Sequence, residues 1–85
     1  AMEIQKTKRL LGGQVQFLFN INEGIIKECQ IFGDFFGKGD IKEIASSLVG
    51  VSFQEEAVYN KLNDFPLHDY FFNITIDDLI SCIFY

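Results

Sequence analysis

The segment QVQFLFNIN, residues 14–22, carries the clearest secondary-structure pattern of this 85-residue chain. Apolar residues alternate there with mostly polar ones, which is typical of a β-strand buried on one side. The buried side is expected to carry Val15, Phe17, Phe19 and Ile21. A sheet built on this strand therefore needs a cover on that side.

Two further strands are predicted beside it. Glu23-Gly24 predicts a tight turn. Residues 25–32 then return as a strand whose apolar residues share one face only if a β-bulge lies near Lys27-Glu28. Before Gly12-Gly13, residues 3–11 are more polar and predict a weaker strand at the edge of the sheet. The three strands form an antiparallel meander.

Helical patterns fill the second half of the chain. Asp40 with Glu43 has the spacing of a capping box, and Gly50 is typical of the residue just after a helix. Between them, apolar residues recur three and four positions apart: Ile41, Ile44, Ala45, Leu48 and Val49. The pattern predicts one helix with a single apolar stripe.

Two more helix starts follow. Ser52 with Glu55 and Thr75 with Asp78 repeat the capping pattern, and Pro66 ends the first of these helices. The inward residues are expected to be Val58, Leu62 and Phe65, and then Ile76, Leu79, Ile80 and Ile83. Strands followed by helices predict an α+β fold: a three-stranded antiparallel meander with two to three helices packed on one face.

The length and composition limit the possible organisation. A chain this short is expected to form one small domain, residues 1–85, because it has no room for a second core. Ala1 precedes Met2, so residues 1–2 are expected to include a remnant of cloning. Ten Phe and three Tyr contribute to a hydrophobic content of 48%. More apolar surface is expected than the fold can bury.

The charge and cysteine content exclude several classes of protein. A net charge of −5 argues against nucleic-acid binding, which needs clustered Lys and Arg. The basic cluster Lys6, Lys8 and Arg9 is expected to be a solvated face. No apolar run reaches the ~20 residues of a membrane helix. Cys29 and Cys82 lie in apolar runs without a zinc-ligand motif, and buried thiols in a cytoplasmic protein are expected.

A glycine-rich turn, GDFFGKGD at residues 33–40, separates the third strand from the first helix. Such turns can bind phosphate through backbone N–H groups. Here the spacing is one residue short of a phosphate loop, no Ser or Thr follows Lys38, and two aspartates add negative charge. Two carboxylates are also too few for calcium. The glycines are instead expected to reverse the chain, because glycine tolerates positive φ.

The adjacent rings of this turn leave two possibilities. Both Phe35 and Phe36 are buried, or one is buried and the other is exposed as a docking contact, because aromatic side chains dominate interfaces. The candidate interdomain docking residues are Gly33, Asp34, Phe35, Phe36 and Gly37.

No catalytic group is recognisable. His68 lacks a partner at a useful spacing and is expected at the surface of a connector. Most of the aromatic residues around it, between residues 65 and 72, are expected in the core. The acidic pairs Glu55-Glu56 and Asp77-Asp78 fall in the first turns of helices, where the helix dipole favours acids.

Several segments in combination resemble a known family. They are Gly13, the strand 15–21, Gly24-Ile25-Ile26, the run from Ile31 to Gly37, the helix that ends Leu48-Val49-Gly50-Val51, the apolar positions Val58 and Leu62, the Tyr70-Phe71 connector and the closing helix. Together they resemble the C-terminal accessory domain of bacterial lipoate–protein ligases, over nearly the whole chain from about Gln5. The run GDFFG is the most specific element.

The resemblance implies a chain that assists catalysis without being catalytic itself. Ligases of this family activate lipoate with ATP to lipoyl-AMP and transfer the lipoyl group to a lysine of a carrier protein. ATP, Mg and lipoate then belong to the parent ligase, and no cofactor is expected in this chain. The implied partners are the catalytic domain, covalently linked or a separate subunit, and indirectly the lipoyl carrier proteins. The alternative is an independent protein-interaction module unrelated to lipoate.

Overall fold

The computed structural model describes residues 1–85 and contains three strands followed by three helices. The strands are β1 (Met2–Leu10), β2 (Gly13–Asn22) and β3 (Ile25–Gly33). The helices are α1 (Ile41–Leu48), α2 (Glu55–Leu62) and α3 (Ile76–Phe84), with a short 3-10 turn at Leu67–Asp69 before α3. The strands form one antiparallel sheet in the order β1-β2-β3, so β2 is central and β1 is an edge strand. The predicted α+β fold is confirmed.

The core lies between one face of the sheet and the helices. The four inward residues predicted for β2 are all buried. On that face the rings of Phe17 and Phe19 stack with centroids 5.6 Å apart, and Phe53 packs on Phe19 at 5.3 Å. Helix α1 packs against β3, α3 against β1, and α2 against both of these helices.

The predicted β-bulge is present in β3. The register shifts between Asn20 and Ile21 of β2, and Lys27 of β3 is the residue without a partner across the ladder. An extra residue restores the alternation of side chains after the bulge. Ile26 and Ile31 are therefore both buried on the covered face.

The helix starts follow the predicted N-caps at α1 and α3 and depart from the prediction at α2. Thr75 opens α3 with the complete capping box to Asp78. Asp40 caps α1 by accepting from the N–H of Lys42 at 3.0 Å. Glu43 does not complete a capping box there. Its carboxylate accepts from the Tyr70 hydroxyl at 3.3 Å, so a partner distant in sequence replaces the local one.

The predicted cap at Ser52 is wrong. Helix α2 begins at Glu55, and no side chain caps its first turn. Ser52 instead forms an isolated β-bridge with Ile25, and the neighbouring N–H of Ile26 donates to the C=O of Val51 at 2.9 Å. The segment before α2 therefore covers the beginning of the β3 edge, and this tertiary contact overrides the capping pattern.

Candidate functional site

An exposed apolar surface lies at the end of the sheet where β1 turns into β2. Leu11 is 90% exposed, Phe36 75% and Phe72 57%. The segments that carry them touch each other: the N–H of Phe72 donates to the C=O of Phe36 at 2.7 Å. A Cβ added at Gly12 would lie 2.1 Å from the carbonyl oxygen of Phe72. We call Leu11, Phe36 and Phe72 the apolar corner.

The two rings of the glycine-rich turn have different environments. Phe35 is half-buried and packs on Phe71, with ring centroids 4.9 Å apart, and Phe71 is fully buried. Phe36 points to solvent. Of the two possibilities considered from the sequence, the arrangement found is nearer to the second: Phe35 packs on the core while half-buried, and Phe36 is exposed.

Asp34 holds the beginning of the turn on the β1–β2 hairpin. One carboxylate oxygen accepts from the N–H of Gln14 at 2.7 Å, and the N–H of Asp34 donates to the C=O of Gln14 at 3.3 Å. The other carboxylate oxygen lies 4.0 Å from the guanidinium of Arg9, which also donates to the Gln14 side chain at 3.0 Å. The turn therefore starts from a fixed position.

The glycines of the turn serve two different purposes. Gly33 has φ of 157°, and a Cβ there would lie 2.0 Å from the carbonyl oxygen of Gln14. Gly37 and Gly39 do not have positive φ, so the prediction that they reverse the chain in this way is wrong. A Cβ at Gly37 would lie 2.0 Å from the carbonyl oxygen of Tyr70, and one at Gly39 would lie 2.5 Å from the Tyr70 ring. These two glycines permit close approach to residue 70.

The turn does not fit a phosphate group. The N–H of Asp34 donates to Gln14, and the N–H of Gly39 donates to the C=O of Asp69 at 2.9 Å, so both donors are satisfied within the fold. The carboxylates of Asp34 and Asp40 add negative charge. No group of three or more His, Cys, Asp and Glu side chains lies where it could hold a metal ion. Two backbone donors of this turn are therefore already committed to partners within the fold.

The remaining titratable candidates do not form a reactive site. His68 is exposed, as predicted, and lies 3.4 Å from the carboxylate of Asp69. Cys82 is buried and Cys29 half-buried. Burial raises the pKa of both thiols, that of Cys29 to about 12. Because the thiolate is the nucleophile, neither cysteine is activated at neutral pH.

The three helices are short for a membrane-spanning segment. Helices α1 and α2 have 8 residues each and α3 has 9, and none meets the length and hydropathy of a membrane span.

Sequence reasoning missed two members of the apolar corner. Leu11 was assigned to the first strand, but β1 ends at Leu10 and Leu11 begins the turn. Phe72 belongs to a group expected mostly in the core, and it is more than half exposed. One signal was available for Leu11: a large apolar residue beside Gly12-Gly13, where polar turn residues are the rule.

The chain matches the family described as bacterial lipoate protein ligase C-terminus over residues 1–83. It belongs to this family. It is 36% identical over 81 residues to lipoate-protein ligase LplJ of Bacillus subtilis (strain 168). That alignment covers 95% of this chain and 24% of LplJ. It is 41% identical over 76 residues to a lipoate–protein ligase of Streptococcus pyogenes serotype M5 (strain Manfredo). That alignment covers 89% of this chain and 22% of the streptococcal ligase. This lipoate ligase C-terminal chain thus spans about a quarter of these relatives.

A solved structure has the same fold as this ligase C-terminal chain. It is a chain from a bi-partite lipoate protein ligase and its E2 lipoyl domain from Thermoplasma acidophilum, with a TM-score of 0.80 and 20% identity. The match covers 96% of this chain and 94% of that chain. The family inferred from the sequence is confirmed, and none of these relatives supports an interaction module unrelated to lipoate.

Proposed function

We propose that this chain is the accessory domain of a lipoate–protein ligase. It assists ATP-dependent formation of lipoyl-AMP and the lipoylation of a carrier-protein lysine, both carried out by a separate catalytic domain. Membership of the C-terminal family supports this assignment. In this proposal ATP, Mg and lipoate are bound by the catalytic domain of the parent ligase.

The observation that carries the proposal is the apolar corner. Exposed apolar patches on a small fold usually mark a contact with another polypeptide. The backbone beneath the corner is firmly supported, since Phe35 packs on Phe71 and Gly37 packs on residue 70. An anchor on a fixed support loses little conformational entropy when it binds.

The five docking candidates divide into one contact and four supports. Phe36 presents its ring to a partner. Gly33 and Asp34 attach the turn to β2, while Phe35 and Gly37 attach it to the segment before α3. In this proposal Leu11 and Phe72 join Phe36 as contact residues, and the other four residues hold the corner in shape.

The proposed partner is the catalytic domain, either covalently linked or a separate subunit. Lipoyl carrier proteins are reached only through it. Interdomain contacts of moderate size permit relative motion, which suits a domain that repositions between two half-reactions.

The proposed location is the cytoplasm. Two cysteines without a disulfide fit a cytoplasmic protein.

The test is an adenylation assay with the catalytic domain from the same genome. Pyrophosphate release is measured with and without this chain added in trans. We expect the chain to raise the rate of lipoyl-AMP formation, and the triple variant Leu11→Ser/Phe36→Ser/Phe72→Ser to need at least a tenfold higher concentration for the same effect. Val49→Ser is the control, because Val49 is 48% exposed but follows α1, outside the corner.

Circular dichroism of each variant establishes that it is folded before it is assayed. An unchanged rate on addition of the wild-type chain contradicts the proposed function. Equal loss of stimulation in the triple variant and in Val49→Ser contradicts the role of the corner.

A further inference from the structure

The outer edge of β1 carries backbone groups without a partner in this chain. Both backbone groups of Gln14 point toward β3, because its N–H and C=O bond to Asp34. Gln14 lies opposite Arg9, so the N–H and C=O of Arg9 point away from β2. In an antiparallel ladder the same holds at every second residue: Arg9, Thr7, Gln5 and Glu3. No backbone hydrogen bond outside the sheet and helices involves residues 2–10.

This free edge of β1 is basic. Three of the seven Lys and Arg residues of the chain lie on β1, although the net charge is −5. Lys6 and Lys8 lie opposite Phe17 and Val15 and therefore share the inner face of the sheet. The guanidinium of Arg9 has Asp34 nearby, so the uncompensated charge is that of the two lysines.

A shallow groove between β1 and α3 extends this basic character. Lys6 and Lys8 line it together with the hydroxyl-bearing residues Ser81 and Tyr85, and no Asp or Glu is among its lining residues. The Nζ of Lys8 donates to the hydroxyl of Ser81. The Tyr85 hydroxyl donates to the carboxylate of Glu55, so what the groove offers directly beside the free edge is the positive charge of the two lysines.

We propose that the free edge of β1 binds an extended acidic segment of a partner protein. The segment adds a fourth strand to the sheet through the outward backbone groups of β1, and its carboxylates lie against Lys6 and Lys8. Because these lysines are two residues apart on one face, the segment needs carboxylates at alternate positions. Backbone hydrogen bonds supply affinity, and the lysines select for acidic sequences. This contact is additional to the apolar corner, which begins where β1 ends.

A second copy of this chain is a poor occupant of the same edge in the register centred on Thr7. Antiparallel pairing of two β1 strands about Thr7 places Lys6 of one copy directly opposite Lys8 of the other. Like charges directly opposite each other destabilise a strand pair, and lysines on edge strands are a common protection against self-association. The same two lysines that oppose self-pairing favour an acidic strand.

The test uses the isotopically labelled chain and a synthetic peptide. The probe is TEVEVET, acetylated and amidated at its ends, and the matched control is TQVQVQT. We expect saturable NMR shifts at the amides of Glu3, Gln5, Thr7 and Arg9, with a dissociation constant at least tenfold lower for the acidic peptide. Shifts that do not saturate, shifts confined to another surface, or equal affinity for both peptides overturn the proposal.

Variants separate the backbone and charge contributions. Thr7→Pro removes an outward N–H without touching the ladder to β2, and binding is expected to weaken at least tenfold in a chain that remains folded. Lys6→Glu/Lys8→Glu is expected to reverse the preference, so that TKVKVKT binds and TEVEVET does not. This charge-reversal variant tests the proposed binding of an acidic segment even if Thr7→Pro fails to fold. The control Lys27→Glu/Lys42→Glu, outside β1, is expected to bind TEVEVET with no more than a twofold change.

The edge and the corner can be tested independently. The triple serine variant of the apolar corner is expected to retain peptide binding, because it leaves residues 3–9 unchanged. Loss of peptide binding in that variant would falsify the separation of the two surfaces.

Discussion

The two hairpin turns lie at opposite ends of β2 and differ in almost every respect. At Glu23-Gly24 both residues have positive φ, 53° and 76°, and a Cβ at Gly24 would have nothing within 4 Å. At Leu11-Gly12 the leucine is 90% exposed, and a Cβ at Gly12 would meet the backbone of residue 72 at 2.1 Å. The first turn is polar and leaves open space at its glycine, while the second is apolar and its glycine is in close contact with another segment.

The difference separates a turn with room around its glycine from one whose glycine is packed against a distant segment. Two residues in the left-handed region match the twist of the flanking strands, so local geometry favours the Glu23-Gly24 turn, and its one backbone tertiary contact is the N–H of Phe53 donating to the C=O of Gly24 at 2.8 Å. The Leu11-Gly12 turn touches the connector before α3, which in turn touches the glycine-rich turn at residues 33–40. Three segments meet at this end, and each leaves one large apolar side chain in solvent.

The largest expected effect comes from comparing Phe71 with Phe72. Phe71→Ala removes a fully buried ring that packs on Phe35, and we expect a loss of about 3–5 kcal/mol in the free energy of unfolding. Phe72→Ala removes a mostly exposed ring and should cost less than about 1 kcal/mol. Urea denaturation followed by circular dichroism measures both. Similar losses in the two variants would mean that Phe72 is part of the core and not of a docking surface.

The two turn glycines give a smaller contrast. Gly12→Ala places a methyl group against a backbone carbonyl, and relief of that clash should cost about 2–3 kcal/mol because the connector must move. Gly24→Ala meets open space and carries only the cost of positive φ, about 1 kcal/mol. The measurement is again the urea midpoint. A larger loss at Gly24 than at Gly12 would contradict the view that only Gly12 is packed too closely for a side chain.

The elements themselves could be predicted from the sequence because their signals are local. Alternation over residues 14–22 determines the inward face of β2, and the interrupted alternation near Lys27 indicates a bulge. Thr75 and Asp78 are three residues apart and complete each other's hydrogen bonds. In each case the residues that cause the structure are neighbours in the chain.

The structure differs from the sequence-based predictions where a partner distant in sequence competes with a local one. Glu43 bonds to Tyr70 and leaves its own capping box incomplete, and Ser52 pairs with Ile25 and does not cap α2. The apolar corner belongs to the same class. No local pattern shows that Leu11 will lie beside the connector before α3, because that proximity exists only once the helices have covered the sheet.

The last contrast concerns the covered face between the two ends, and its effect on stability is seen only at alkaline pH. Cys29 lies on β3 opposite Phe19, and burial raises the pKa of its thiol from 9.0 to about 12. The unfolded chain therefore releases this proton at lower pH than the folded chain does. Since ionisation then favours the unfolded state, the contribution of Cys29 to stability is complete below about pH 9 and is lost as the pH rises toward 12.

The measurement is the urea midpoint of the wild-type chain and of Cys29→Ala between pH 8 and pH 11. Burial also raises the pKa of Cys82, and hydrogen bonding to Glu55 raises that of Tyr85, so stability is expected to fall in both proteins. The wild-type curve should fall more steeply, because only it carries the thiol at position 29. Parallel curves would show that this thiol ionises with equal ease in the folded and unfolded chains, and that the covered face near Cys29 is open to solvent.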